Sequence, residues 1–411
     1  MNIIIFEQIF KYLKCIDEIY CCILYPKLLN IKSYKSIYLS SNNCNNFIFI
    51  TKIIRYFSNF KFELLLTKLL YLDYNFNNLK NLRLTLDFYD FNCSKQKDKF
   101  SNYYKILDIP FNNISGIYSL DFHIQGYYKL KDNNLSLNKI KSVIITSENS
   151  INSINLCQVE KFVLNDGINL ESFKFDNHLK SLSIFKIPNK IIQHLYSTNI
   201  EELLLNSSFF FNDIKLKDIF PNTKYLQLDF SIFCDEFKLS SLVGNFKTLS
   251  LNYIQKSFEN FTNFKNLNTL HLCGNNVIKE VIGFQGRNLF LDNCCNLQNF
   301  NFQNLDSLYL QFNKNITGID TELFKNIKTL DLSGTNIEYL SDKITNLQFF
   351  IGQECKKLEY FPKYESMQLL NLYNCFNLKK INTLNINTLN IKGCRNLINT
   401  NNIKFNHIFT Y

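Results

Sequence analysis

The stretch "NLNTLHLCGNNVIKEV", residues 266–281, carries the pattern that decides the architecture. Apolar side chains stand at Leu267, Leu270 and Leu272, a polar one at Asn275, and an apolar one again at Val277. The arrangement returns in "GRNLFLDNCCNLQNF" (286–300), "NLDSLYLQFNKNITGI" (304–319), "NIKTLDLSGTNIEYL" (326–340), "NLQFFIGQECKKLEYF" (346–361), "SMQLLNLYNCFNLKKI" (366–381) and "TLNINTLNIKGCRNL" (383–397). With Leu270 as marker, the equivalents are Leu289, Leu308, Leu330, Phe350, Leu370 and Leu389, separated by 19, 19, 22, 20, 20 and 19 residues. Looser copies upstream keep the interval: Leu120, Val143, Phe162, Leu182, Leu203, Leu226 and Leu249. A fixed interval of about 20 residues is the mark of a repeat array in which neighbouring units share one core.

Side chains alternate across a strand, so the two apolar residues of Leu-x-Leu point into the array while the residues between them point out. Each strand then stacks on its neighbours as one rung of a curved parallel sheet. Five residues after each marker the chain must turn, and the small or polar residue there is expected to face inward and satisfy loop backbone groups. That ladder reads Asn275, Cys294, Asn313, Thr335, Cys355, Cys375 and Cys394. These intervals and the inward ladder resemble the leucine-rich repeat, L-x-x-L-x-L-x-x-N/C-x-L. The far wall is closed by Ile337 and Leu340, Leu358 and Phe361, and Leu378 and Ile381, too few residues for long helices. Short strands or 3₁₀ turns are expected there. In the N-terminal third, "NNFIFITKIIRYFSNF" (45–60) has helical spacing, with "YKSIYLS" (34–40) as its strand, and residues 87–116 fit neither template.

Composition excludes several classes of function. The chain has no Ala and no Trp, and only four Arg stand beside a heavy load of Asn, Lys, Ile and Phe. The net charge of +10 is spread as single lysines rather than a stripe, so no nucleic-acid partner is expected. Thirteen cysteines occur singly or as adjacent pairs, without the CxxC spacing of a metal knuckle. They read as reduced, small apolar residues of a cytoplasmic or nuclear protein. No stretch reaches the length of a membrane helix, and Glu7, Asp17 and Glu18 interrupt the N-terminal apolar run where a signal peptide would need none. No Gly-rich phosphate loop and no His-based metal motif occurs. Neither a catalytic residue, a metal nor a cofactor is therefore expected. Cys15-Ile16-Asp17 resembles in those letters the Cys-x-Asp of bacterial leucine-rich-repeat ubiquitin ligases, but without the large helical domain that carries it there.

The segment "IFEQIFKYLKCIDEIYCCILYP", residues 5–26, has a different rhythm, with Ile5, Ile9, Phe10, Leu13, Ile16 and Ile19 on one helical face. It resembles the F-box: Ile9, Phe10, Tyr12 and Leu13 stand for the end of the first helix, and Asp17, Glu18 and Ile19 for the entry to the second. Cys22 and Ile23 stand nearest to the family's Val-Cys-x-x-Trp helix, whose Trp has no counterpart. The chain thus resembles F-box/leucine-rich-repeat proteins. Its expected layout is a helical F-box-like module at 1–40, irregular opening repeats at 41–116 and an α/β repeat solenoid at 117–411. The resemblance implies a non-catalytic substrate receptor of an SCF-type ubiquitin ligase, docking through that helical face on a Skp-like adaptor held by a cullin. The target, a protein or peptide, would lie on the concave sheet. Residues one after the marker (His271, Phe290, Tyr309, Asp331, Ile351) and, three after it, Tyr373 are the expected contacts. The alternative is a repeat scaffold or inhibitor whose N-terminal helices only cap the solenoid.

Overall fold

Leu270 and Leu272 are fully buried while Thr269, His271 and Cys273 between and beside them are half-buried, the alternation that a one-sided strand requires. In the computed structural model that alternation builds a β-solenoid. The structure describes residues 37–40, 62–66, 82–88 and 105–107, and most of 117–410, the longest stretches outside the description there being 207–221 and 230–241. The chain divides into two compact units, Met1–His194 and Leu195–Tyr411. Among the described residues no helix is long and apolar enough to cross a membrane.

In the first unit a parallel sheet runs through Ile37–Ser40, Phe62–Leu66, Leu82–Phe88, Ser119–Ile124, Ser142–Ser147, Lys161–Leu164 and Ser181–Phe185. A second parallel sheet of Asn134–Asn138, Ser153–Cys157 and Ser172–Phe175 forms the other wall. The chain passes alternately from one wall to the other, so each coil is strand, corner, strand, corner. Leu120, Val143, Phe162 and Leu182 of one wall and Leu135, Ile154 and Phe173 of the other are all within 2 % of complete burial. The Phe162 and Phe173 rings meet 5.8 Å apart, between the two walls. The sheet extends further toward the N-terminus than the intervals suggest: Leu39 pairs with Leu64, Leu64 with Leu84, and Leu84 with Leu120. Their unequal separations hide a regular ladder. Lys105–Leu107, in the connection before Ser119–Ile124, pairs with Tyr128–Leu130, in the connection after it. The helical pattern at 45–60 and the F-box-like segment lie outside the described residues.

The second unit has eleven rungs, from Glu202–Asn206 to Lys404–Phe409. Every marker pairs with the next as the intervals require: Leu203, Leu226, Leu249, Leu270, Leu289, Leu308, Leu330, Phe350, Leu370 and Leu389 stand in one row. The row continues to Ile408. At about 4.8 Å per rung, the sheet spans on the order of 50 Å. The far wall is thin, as expected: Gly318–Ile319 pairs with Tyr339–Leu340, and Tyr360–Phe361 with Lys380–Ile381. Ile337, Leu340, Leu358, Phe361, Leu378 and Ile381 are all buried there. Volume is balanced within a rung. Where Phe350 replaces the marker leucine, the residue two further on is Gly352, and a Cβ there would stand 2.5 Å from the Phe350 ring.

The inward ladder joins successive rungs. Asn275 donates through Nδ2 to the Leu251 carbonyl, and Asn313 to that of Leu291, each at 2.8 Å. The thiols take the same part: Cys294 donates to Leu272 O, Cys355 to Leu332 O, Cys375 to Gly352 O and Cys394 to Leu372 O, at 2.9–3.2 Å. Thr335 instead bonds Leu332 O of its own rung at 2.7 Å. The acceptor in each bond between rungs lies two residues after the preceding marker, where the strand has ended; the carbonyls of Leu272, Leu332 and Leu372 also accept from within their own rung. Replacing Cys375 by Ala removes one such donor and a buried sulfur, a loss of about 1–3 kcal/mol. Cys375→Ala should therefore lower the melting temperature clearly, and Cys375→Thr, which keeps a donor of the kind seen at Thr335, by much less. Equal melting of both variants and the parent chain would contradict this role.

Candidate protein-binding face

The residue after each marker is fixed by ladder bonds to its neighbouring rungs and projects outward from the sheet. In three adjacent rungs this position is aromatic. His271 and Phe290 stack with ring centroids 4.1 Å apart and 11° between planes; Phe290 and Tyr309 stack at 4.2 Å and 5°. The spacing between rungs sets the spacing between rings, so the stack exists because the register is exact to the residue. All three side chains are half-buried, and their edges rather than their faces meet solvent. Burial holds the His271 imidazole below its ordinary pKa, against the opposing pull of Asp229. Burial holds the Tyr309 phenol above its own, with help from Asp331 and Asp292. The stack is neutral at pH 7.

Of the other expected contact residues, Ile351 and Tyr373 are half-buried on the same wall. Asp331 differs. It is 3 % exposed because its carboxylate accepts from Ser333 N and Oγ and from Gln311 Nε2, at 3.0, 2.7 and 2.7 Å. Asp331 thus organises the face from beneath. The expected adaptor contacts Ile5, Ile9, Phe10, Leu13, Ile16 and Ile19 lie outside the described residues.

A second column, three residues after the marker, carries a polar chain that residue spacing alone does not reveal. Asp229 accepts from Ser250 Oγ at 2.6 Å, from Asn252 N at 2.9 Å and from Gln227 Nε2 at 2.9 Å. Asn252 Oδ1 accepts from Cys273 N at 2.6 Å, and Asp292 from Gln311 N at 2.7 Å. Each side chain therefore caps a backbone amide of the next rung. The Asp292 carboxyl is pushed up to about 6, chiefly by burial and, less, by the charge of Asp331, against the stabilising Gln311 amide. Burial also raises Asp331.

Cys273, Cys294 and Cys375 are poor nucleophiles, whereas hydrogen bonding with the Cys375 thiol lowers Cys355 and Cys394. Burial pushes the Cys273 thiol up to about 12 and Cys294 to about 11, each with a further contribution from Asp292. Cys375 is raised first by hydrogen bonding with the Cys355 and Cys394 thiols and then by burial. The thiolate is the reactive form, so these environments suppress reactivity. Among the described residues no group of three or more His, Cys, Asp or Glu is placed to hold a metal ion. The arrangement can bind through aromatic edges, amides and carboxylates. Compared with known proteins, the chain matches no family model, and no curated protein matches it.

Because Asp292 lies above the ordinary carboxylate value of 3.8 in the fold, the folded state favours its protonated form. Ionisation costs stability, beginning near pH 4 and complete above about pH 6. Asp292→Asn should therefore raise the melting temperature at about pH 7.5 by a few degrees, and the gain should shrink toward nothing near pH 4. A gain of the same size at both pH values, or none at pH 7.5, would contradict the buried-carboxylate account.

Proposed function

We propose that this chain is a non-catalytic target-recognition subunit of an SCF-type ubiquitin ligase. The coil length, the buried Leu-x-Leu pairs and the inward Asn/Cys ladder support reading the solenoid as leucine-rich repeats. Residues 5–26 are the F-box-like docking segment for a Skp-like adaptor, which joins the receptor to a cullin. The concave face receives a protein or peptide target. The observation that carries the second half of this reading is the His271–Phe290–Tyr309 stack: three aromatic side chains held half-exposed in a pre-ordered row. Rigid aromatic groups on an ordered scaffold lose little entropy on binding and are the usual anchors of a protein interface. The first half rests on the resemblance of Ile9, Phe10, Leu13 and their neighbours. An apolar helical face without a partner would be a liability on a surface. The cysteine usage fits a reducing cytoplasmic or nuclear compartment.

A second reading is favoured by one observation. Strand Ile37–Ser40 pairs on one side with Phe62–Leu66, and among the described residues no strand pairs with its other edge. Repeat arrays need such ends covered. In a plain scaffold the N-terminal helices would serve only as that cap.

The two readings part in one experiment. Affinity purification of the chain from cells should recover a Skp-type adaptor and cullin. The double substitution Phe10→Asp and Leu13→Asp should abolish that recovery, whereas Phe290→Ala with Tyr309→Ala should leave it intact and reduce target recovery at least tenfold. Absence of any adaptor, together with aggregation when residues 1–30 are deleted, would establish the cap instead.

A further inference from the structure

Four residues after the marker, every rung of the second unit from Leu249 to Leu389 turns through the left-handed region: Tyr253, Gly274, Asn293, Phe312, Gly334, Glu354, Asn374 and Gly393 have φ between 56° and 83°. That conformation costs a bulky residue roughly 1–2 kcal/mol relative to glycine, and two of the eight are aromatic. The Tyr253 ring lies over Gly274, where a Cβ would stand 2.3 Å from it, and the Phe312 ring lies over Gly334 in the same way, at 2.5 Å. Both rings nevertheless remain about half exposed, 47 % and 52 %. They form the two ends of a notch of about 940 Å³, at the edge of the concave face where the strands end. Cys273, Asp292 and Gln311 lie along its floor, and Lys314 stands exposed at its lip.

Charge is distributed with a sign. The protein as a whole is at +10. In the seven rungs with markers from Leu226 to Phe350, the concave positions one before, one after and three after the marker carry Asp229, Asp292 and Asp331 and no Lys or Arg. Three basic residues of these rungs sit at the opposite end of the strands, where Lys224 pairs with Glu201, and Arg287 and Lys328 with Asp306, while Lys314 stands at the lip of the notch itself. Of the three concave aspartates, Asp229 and Asp331 each receive three hydrogen bonds or more from side chains and amides. Asp292 receives one short bond, from the Gln311 amide, and a long contact of 3.8 Å from the Cys273 thiol. Its second oxygen is the one that thiol contacts, and among the described residues no cation forms an ion pair with it. A carboxylate kept in this setting, between two exposed rings held in a strained conformation, lacks a counter-ion that the fold does not supply.

We infer that the notch receives a cationic side chain, arginine or lysine, from the target segment laid along the concave face, with Asp292 as counter-ion and Tyr253 and Phe312 as flanking walls. This rests on the receptor reading and names the chemistry of the target. A guanidinium or ammonium entering the notch completes the Asp292 carboxylate and gains cation–π contact with the Tyr253 ring, which leans over Gly274 of the adjoining rung, while Phe312 closes the far end. The His271–Phe290–Tyr309 stack beside it supplies the uncharged part of the surface. The paired basic residues at the other end of the strands set the orientation, because they disfavour a cation approaching from that side.

The test uses the full chain and a fluorescein-labelled peptide with arginine at every third position between glycine and serine, followed by fluorescence anisotropy at low and moderate salt. Lysine, citrulline and glutamate versions of the peptide serve as the other arms. Binding of the arginine or lysine peptide should exceed that of the citrulline and glutamate peptides at least tenfold. Asp292→Asn, which keeps shape and the Gln311 acceptor, should erase most of that preference. Tyr253→Ala and Phe312→Ala should each weaken binding several-fold, and Lys314→Gln should tighten it. Equal binding of arginine and citrulline peptides, or a cation preference untouched by Asp292→Asn, would overturn the inference. Loss of adaptor recovery in the purification above would instead strike the receptor reading, so the two failures are distinguishable.

Discussion

The structure depends on one hydrogen bond made again in rung after rung: a short inward side chain reaching back to the carbonyl two residues beyond the preceding marker. A parallel strand three residues long buries little by itself, and its carbonyls at the turn would be stranded in an apolar core. Asn275, Cys294, Asn313, Cys355, Cys375 and Cys394 answer that need. They also explain why the repeat tolerates spacings from 19 to 23 residues. The bond fixes the corner, and the far wall absorbs the extra chain. Amide and thiol are interchangeable there because each is small and can donate, whereas the Thr335 hydroxyl bonds within its own rung; the ladder cysteines need no disulfide or metal to account for them.

From that bond follows the register, and from the register the face. Because Leu270, Leu289 and Leu308 stand in one row, so do His271, Phe290 and Tyr309, and their rings stack with centroids 4.1–4.2 Å apart. The column three residues after the marker is built differently. There the oxygens of Asp229, Asn252 and Asp292 each cap an amide of the next rung, so polar residues on the outer face of the sheet contribute to stability. Asp292 departs from this balance, since burial raises it to about 6 and its neighbours satisfy it poorly. A group that destabilises the fold at neutral pH and lines an open notch is a candidate contact rather than a support.

How much of this was legible beforehand varies with the physical cause. The markers and the inward ladder were readable because hydrophobic burial and donor placement both act through residue type at a fixed interval. The strand at 34–40 is readable and the structure has it at Ile37–Ser40, but the rungs at Leu64 and Leu84 are not, since separations of 25, 20 and 36 residues conceal a register that only pairing reveals. The left-handed corner was half-visible. Gly274, Gly334 and Gly393 mark it, and Asn293 and Asn374 suit it, but nothing in Tyr253 or Phe312 announces a positive φ. Asp331 was read as a surface contact because its position points outward, whereas three hydrogen bonds from its neighbours cover it.

The most direct test of the account is amide hydrogen exchange resolved by residue in the second unit. The corner bonds predict slow exchange two and four residues after each marker. Leu251, Leu272, Leu291, Leu310, Leu332 and Leu372 donate to the next rung at 2.8–2.9 Å, and Tyr253, Gly274, Asn293, Phe312, Gly334, Glu354 and Asn374 at 2.7–2.8 Å. Protection should therefore recur with the marker interval through the array, and Cys375→Ala should weaken it first at Gly352 and Glu354, in the rung whose carbonyl loses its donor. Protection without that period, or confined to the three-residue strands, would contradict a solenoid held by its corners.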